Sequence, residues 1–325
     1  MPDNLKWKKG LLSSGMPLEF EAASLLVSKG FAVNSDFKYT EVNDFGVVKD
    51  SSVALHASSD APFSDHDKTA AHIDLLASCR HRRPDEAWLF MPDLNKPDFS
   101  PATRGNTLRV IDNFSPYTIE SDAAITFDTD LPVCQKGIEI DLEAGDSSDS
   151  VFRQGLVQLQ YAIPRLLTEN ALLYLSLLPE QNLPFIFCPI LLTTAQLFVI
   201  NKDTTTDQIE ACSEIHDIAA QVPYLIMYSD YGPDFEAQCI RECSRLKVLQ
   251  KSDKAMAVEQ KRARHYKSQH NLPFTIIEAL TSGDRYYLNT FFTQFIICSN
   301  KNFQTLVDAI KKTAESALRT QKYIE

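Results

Sequence analysis

The sequence predicts an α/β protein built on a mixed β-sheet flanked by helices, with an α/β extension towards its C-terminal end. Three observations carry this expectation. Apolar runs of strand length alternate with segments of helical period along most of the chain. The composition, 44% hydrophobic and 23% charged over 325 residues, is that of a globular chain able to bury a large core. The longest apolar run, beginning at Leu183, is broken by Pro184, Pro189 and the Thr193–Thr194 pair, so it reads as buried strands and not as a membrane span.

Taken in order, "PLEFEAASLLVSKG" (17–30) places Leu18, Ala22, Leu25 and Leu26 at helical spacing, between a proline suited to a first turn and a glycine suited to a stop. "FAVNSDFKYTEV" (31–42) reads as a strand. "SSVALHAS" (51–58) reads as a second, with Val53, Leu55 and Ala57 on one face and Ala54 and His56 on the other. After a polar loop at 59–69, "AHIDLLASCRHRRPDEAWLFMPD" (71–93) reads as two strands around a basic turn, with Trp88 in the core. The segment 104–114 is read as a helix, and an acidic irregular stretch follows to 150. The segment 150–178 is a long helix, kinked or split at Pro164. Two buried strands follow at 183–194 and 195–200, the first interrupted at Pro189. An amphipathic segment (206–221) shares Ile209, Cys212, Ile215, Ile218 and Ala219 on one face, and 222–229 is a further strand. Helical, basic sequence fills 234–267; "FTIIEAL" and the half-buried strand "YYLNTFFTQFIICS" precede a last helix over 301–318. The expected division is a core over 1–230, with an acidic insertion near 112–149, and a helical and strand extension over 231–325 packed on it.

The net charge of −11 excludes a protein that coats nucleic acid by bulk electrostatics. Ten acidic residues and one basic residue, Lys136, lie between Asp112 and Ser150. Positive charge is local, in "RHRR" (80–83) and "KRARHYK" (261–267). The seven cysteines form no CxxC pair, and Cys239 and Cys243 stack at helical spacing as buried thiols, which suits a reducing cytoplasm. "MPDNLKWKKG" has no apolar run after its charged start, so a cytoplasmic chain is expected. There is no G-x-S-x-G, no glycine-rich phosphate loop and no H-E-x-x-H.

The stretches "SGMPLEFEAASLLVSKGFAV", "SSVALHA" and "IDLLASCRHRRPDEAWLFMPD", in the order helix with a glutamate, strand, strand, strand with a charged end, strand, resemble the PD-(D/E)xK nuclease superfamily. "LPFIFCPILLTTAQLFVI" looks like a later part of some bacterial members, so the resemblance covers roughly 13–230. It implies a restriction-endonuclease-like fold and Mg²⁺-dependent phosphodiester cleavage. Such a site needs carboxylates for the hard metal ion and a lysine beside the attacking water.

Carried over by position, Glu19 fits the helix glutamate, but Ala54 stands for the central aspartate, Ser78 for the motif glutamate and Arg80 for the motif lysine. Alanine offers no ligand atom, serine is a poor Mg²⁺ ligand, and arginine stays protonated. The resemblance therefore implies a degenerate nuclease without a confident cofactor. Such a protein would bind DNA or RNA through Arg80, Arg82 and Arg83 and through Lys261, Arg262 and Arg264, or bind a protein partner or a second copy, within a bacterial defence or DNA-processing system. Two readings stand beside it. One is an active Mg²⁺ site relocated onto Glu19 and Asp74, with His56, Asp65, His66, Asp67 or His72 completing it. The other is an interaction subunit using the acidic stretch and "KRARHYK". Gln154, Gln158 and Tyr161 match a helix position that some nucleases place beside the site, and they also suit a solvated face.

Overall fold

The computed structural model describes residues 6–42, 47–63, 70–95, 100, 107–120 and 131–325. Two helices open the described chain, α1 (Lys6–Ser13) and α2 (Met16–Ser28). α2 buries Leu18, Ala22 and Leu26 along one stripe and stops at Gly30, whose φ of 89° lets the Phe31 N–H reach back to the Leu26 carbonyl. Strands β1 (Ala32–Val42), β2 (Val48–Ala61) and β3 (Ala71–Arg80) form an antiparallel meander. β4 (Glu86–Pro92) leaves that meander and pairs elsewhere. Short strands β5 (Arg109–Ile111) and β6 (Tyr117–Thr118), then β7 (Val133–Asp141) and β8 (Ser147–Ser148), lead to α3 (Ser150–Tyr174).

β9 (Phe185–Thr193) and β10 (Gln196–Ile200) are followed by α4 (Thr206–Ala211), β11 (Ala219–Gln221) and β12 (Tyr224–Tyr228). α5 (Pro233–Cys243), α6 (Asp253–His265), α7 (Pro273–Ser282) and α8 (Arg285–Phe292) precede β13 (Gln294–Ser299), α9 (Phe303–Leu318) and β14 (Lys322–Tyr323).

The result is a mixed α/β architecture on one 12-stranded sheet, in the order β1-β2-β3-β9-β13-β12-β7-β4-β10-β11, with β5 beside β9 and β8 beside β7. β3, β9 and β13 run parallel at its centre. One face of β3 sends Ile73, Leu75, Ala77 and Cys79 into a core shared with α2 and α9. The other sends Leu76 into the larger core around α3, α5, α7 and α8. No helix among the described residues is long and apolar enough to cross a membrane.

Several expectations change. The stretch 71–93 is not a hairpin: β3 pairs with β2 and β9, and β4 with β7 and β10. The acidic stretch contains β7, an interior strand, and residues 121–130 lie outside the described ones. β13 lies between β9 and β12, so the chain after 231 completes the sheet instead of docking on it. α3 and β9 run unbroken through Pro164 and Pro189. Burial of Leu159, Ile163, Leu166 and Leu167 around Pro164 offsets its missing N–H donor. The segment 107–111 ends in a strand, not a helix, and 206–221 splits after α4, where Asp217 accepts the N–H groups of Ser213 and Glu214 and turns the chain. "YYLNTFF" is helical because Tyr287, Leu288, Phe291 and Phe292 share a stripe and Asp284 caps its start.

In β2, Leu55 and Ala57 enter one core while Val53 enters the other, and Ala54 packs with Leu55. The alternation breaks opposite Asp36, whose φ of 59° is left-handed. Gly137 on β7 faces Phe90 across the sheet, and a Cβ there would lie 2.6 Å from the buried ring. Gly137→Ala is expected to cost about 1–3 kcal/mol, read as a lower denaturant midpoint at unchanged slope.

Candidate functional site

Ser78 and Arg80 lie on the β3 face that packs against α3, where Gln158 meets both. Ser78 Oγ donates to Gln158 Oε1 at 3.4 Å and Arg80 Nη2 donates to the same oxygen at 2.5 Å. Arg80 Nη1 donates to the Cys79 carbonyl at 3.0 Å, and its Nε is buried without a partner. Gly155, one turn before Gln158, makes the approach possible: a Cβ there would meet Leu191 at 2.5 Å and Arg80 Nε at 3.4 Å. Burial lowers the Arg80 pKa from its ordinary value, with Glu19 and Tyr39 opposing the fall. Burial raises the Glu19 carboxyl, Asp36 adds to the rise and Arg80 counters it. Ser78 and Arg80 thus meet at Gln158 near the end of β3, and Glu19, on α2, lies close enough to Arg80 for each charge to act on the other. Gln154 is exposed, and Tyr161 packs edge-on against Phe235 in the core, so Gln158 alone of that set reaches the site.

Mg²⁺ does not fit these groups. Ala54 and Ser78 supply no carboxylate, and Arg80 places a cation where a metal would need a neutral or anionic neighbour. Among the described residues no group of three or more His, Cys, Asp or Glu side chains could hold a metal ion.

Asp74 sits four residues earlier on β3, about 13 Å away by strand rise. It is 1% exposed and its oxygens are occupied: His56 Nε2 lies 2.7 Å from Oδ1, His72 Nε2 3.4 Å from the same oxygen, and Asn170 Nδ2 donates to Oδ2 at 2.9 Å. His72 Nδ1 meets Asp60 at 3.2 Å. Burial would raise the Asp74 pKa, but the bonds from His56 and His72 prevail and hold it down at about 2. Burial opposes protonation of His72, while Asp74 and Asp60 raise it overall. This geometry separates Asp74 from Glu19 and makes it the centre of a structural polar cluster. Asp65, His66 and Asp67 lie outside the described residues.

The basic turn after β3 is already neutralised. Arg82 forms a two-pronged pair with Glu139, which also accepts the Trp88 indole N–H at 2.7 Å, and its backbone is clamped by Thr194. Arg83 reaches Asp141 at 2.6 Å, Glu86 at 3.3 Å and Asp85 at 3.4 Å. Beyond this turn opens a crevice of about 740 Å³, outside the carboxyl ends of β3 and β9, lined by Lys9, His81, Arg83, Gln196 and Lys301 among others. In open α/β sheets this end is the usual position for ligands.

"KRARHYK" spans the end of α6 and the two residues after it, and the three of its basic residues expected to meet nucleic acid diverge. Arg262 is fully buried and donates to the carbonyls of Asn271, Asp112, Ser115 and Tyr117. It presents no charge to a phosphate, which corrects its assignment to a nucleic-acid surface. Lys261 lies 4.0 Å over the Tyr323 ring, and Arg264 is exposed. Cys239 and Cys243 are buried thiols 3.8 Å apart.

Comparison with protein-family models, with curated proteins and with solved structures gives no match.

Proposed function

We propose that this chain is a pseudo-nuclease: a PD-(D/E)xK-like core with a degenerate metal site that binds the backbone of a nucleic acid and serves a bacterial defence or DNA-processing system. The observation that carries the reading is Arg80, held by Gln158 beside Ser78 at the end of a meander that follows the element order of the resemblance. The parallel return of β9 after α3 supports the same restriction-endonuclease-like arrangement. An arginine fixed from behind by an amide presents its remaining donors to phosphate, and loss of carboxylates removes repulsion of that phosphate. The adjoining crevice, with Lys9 and Lys301 on its rim, gives the backbone a path.

A salt series with short DNA and RNA tests this. Binding is expected to weaken linearly in log–log form with salt, and Arg80→Ala is expected to weaken it and reduce the slope by about 1. No salt-dependent binding to either nucleic acid would refute the reading. Calorimetry with Mg²⁺ and Mn²⁺ is expected to show no saturable heat; saturable binding abolished by Glu19→Ala would restore the nuclease.

A protein-interaction subunit is the second reading. It is favoured by the neutralised Arg82 and Arg83 and by exposed Trp7, Leu12 and Phe20 on α1 and α2.

A further inference from the structure

Arg109, on β5, is 1% exposed and far from the end of β3 that carries Arg80. Its Nη1 donates to the Thr107 carbonyl at 3.2 Å and its Nη2 to the Gln294 carbonyl at 2.6 Å. Its guanidinium carbon lies 5.4 Å from the Phe187 ring centroid. Nε is buried and bonds to nothing. Among the described residues no carboxylate lies within 4.0 Å of it. The Cys188 thiol, whose charge would act on Arg109, is pushed up to about 12 by burial and stays neutral. Burial pulls Arg109 itself down to about 9. A buried cation without a counter-ion is costly, and proteins ordinarily pair one.

A cavity of about 150 Å³ adjoins this cation. Arg109 lines it together with Asn113, His270, Asn271, Tyr286 and Thr290. The Asn113 amide donates to Asn271 Oδ1 at 3.4 Å, which fixes the Asn271 amide so that its own Nδ2 stays free of protein acceptors among the described residues. The Tyr286 hydroxyl is likewise uncommitted among them. Ile276 and Phe291 give the wall an apolar side. A single fixed positive charge, an orphaned N–H, spare amide and hydroxyl donors and a small apolar wall are complementary to one kind of ligand.

We infer that the cavity beside Arg109 binds a small organic carboxylate. The orphaned Nε–H can donate to one carboxylate oxygen, and the fixed guanidinium charge attracts the group as a whole. One negative charge balances the one cation, whereas a phosphate dianion would leave an excess charge in a buried place. The short hydrocarbon part of the ligand lies against Ile276 and Phe291. This site uses no residue of the proposed nucleic-acid surface, so the two readings stand or fall separately.

Thermal unfolding of the full chain in acetate, propionate and benzoate, against chloride and phosphate at equal ionic strength, tests the inference. At least one carboxylate is expected to raise the midpoint saturably, by about 2 °C, where chloride does not. Arg109→Met is expected to abolish the shift. Thr290→Phe, which fills the cavity from a partly exposed position without touching Arg109, is expected to abolish it as well, and it decides the matter if Arg109→Met does not fold. No carboxylate-specific shift, a shift that survives Thr290→Phe, or a larger shift in phosphate would each overturn the assignment.

Discussion

Arg262→Ala is expected to be among the most destabilising single substitutions in this chain, at about 3–5 kcal/mol. The guanidinium is fully buried and ties α6 to two other segments, through the Asn271 carbonyl at 2.8 Å and the carbonyls of Asp112, Ser115 and Tyr117 at 2.9, 3.0 and 2.7 Å. The Asp112 carboxylate lies 3.4 Å from it. Burial already raises the Asp112 pKa, and Arg262 is the charge that opposes the rise. Removing the guanidinium leaves four acceptors and one carboxylate without their donor. Arg262→Lys is expected to recover less than half of the loss, because one ammonium has three donors on a different geometry and cannot reach both segments. Denaturant unfolding followed by circular dichroism provides the measurement; a loss under about 1 kcal/mol would show that the segments hold together without this tie.

Arg262 also marks where the sequence was and was not informative. Helix and basic charge are both evident in "KRARHYK", but charge alone does not separate an exposed side chain from a buried one. The period carried the better signal: Ala255, Val258 and Arg262 are three and then four residues apart, and all are buried on α6. A basic residue at the third position of an apolar stripe is a candidate for a buried tie. The same holds for "RHRR", where charge does not mean availability. The partners of Arg82 and Arg83, namely Glu139 and Asp141, lie on β7 more than fifty residues later, and no local pattern announces them. Local periodicity did place α2, the strands of the meander and Ser78 with Arg80 on one face of β3, because those depend on short-range alternation and on one turn of helix. It did not place β4, β7 or β13 in the sheet, since neighbours in a mixed sheet are chosen by long-range packing and not by sequence adjacency. Gln158 could be named from helical spacing with Gln154 and Tyr161, but only the packing of α3 over β3 shows which of the three reaches the site.

The pH dependence of folding is expected to centre on Asp74. Its ordinary value is 3.8 and in the folded chain it is held at about 2, so the folded state favours the carboxylate by about 2 kcal/mol. That contribution is present above the unfolded value and is lost as pH falls through 3.8 towards 2. His72 moves the other way: its pKa is raised by Asp74 and Asp60, so its contribution is present below the unfolded value of 6.5 and is lost as pH rises through the folded one. The groups titrate as one unit, so the two contributions overlap and do not add. The Tyr174 hydroxyl, which faces them from α3, is pushed up by burial and by the two aspartates and stays protonated throughout. Asn170 donates to the second Asp74 oxygen.

Stability from this cluster is therefore greatest between roughly pH 4 and 6.5. Asp74→Asn is expected to flatten both limbs, because it removes the acid that titrates on one side and the partner that raises His72 on the other. Asp74→Ala is expected to cost about 3 kcal/mol at pH 5.5, since it leaves the Asn170 amide without its acceptor and the two imidazoles without theirs. His72→Gln is expected to flatten the alkaline limb and to shrink the acid one, because His72 helps hold the Asp74 carboxyl down. If unfolding free energy measured from pH 3 to 8 has the same profile in the parent and in Asp74→Asn, the cluster does not hold charge in the folded chain, and Asp74 becomes available again as a ligand for a relocated metal site.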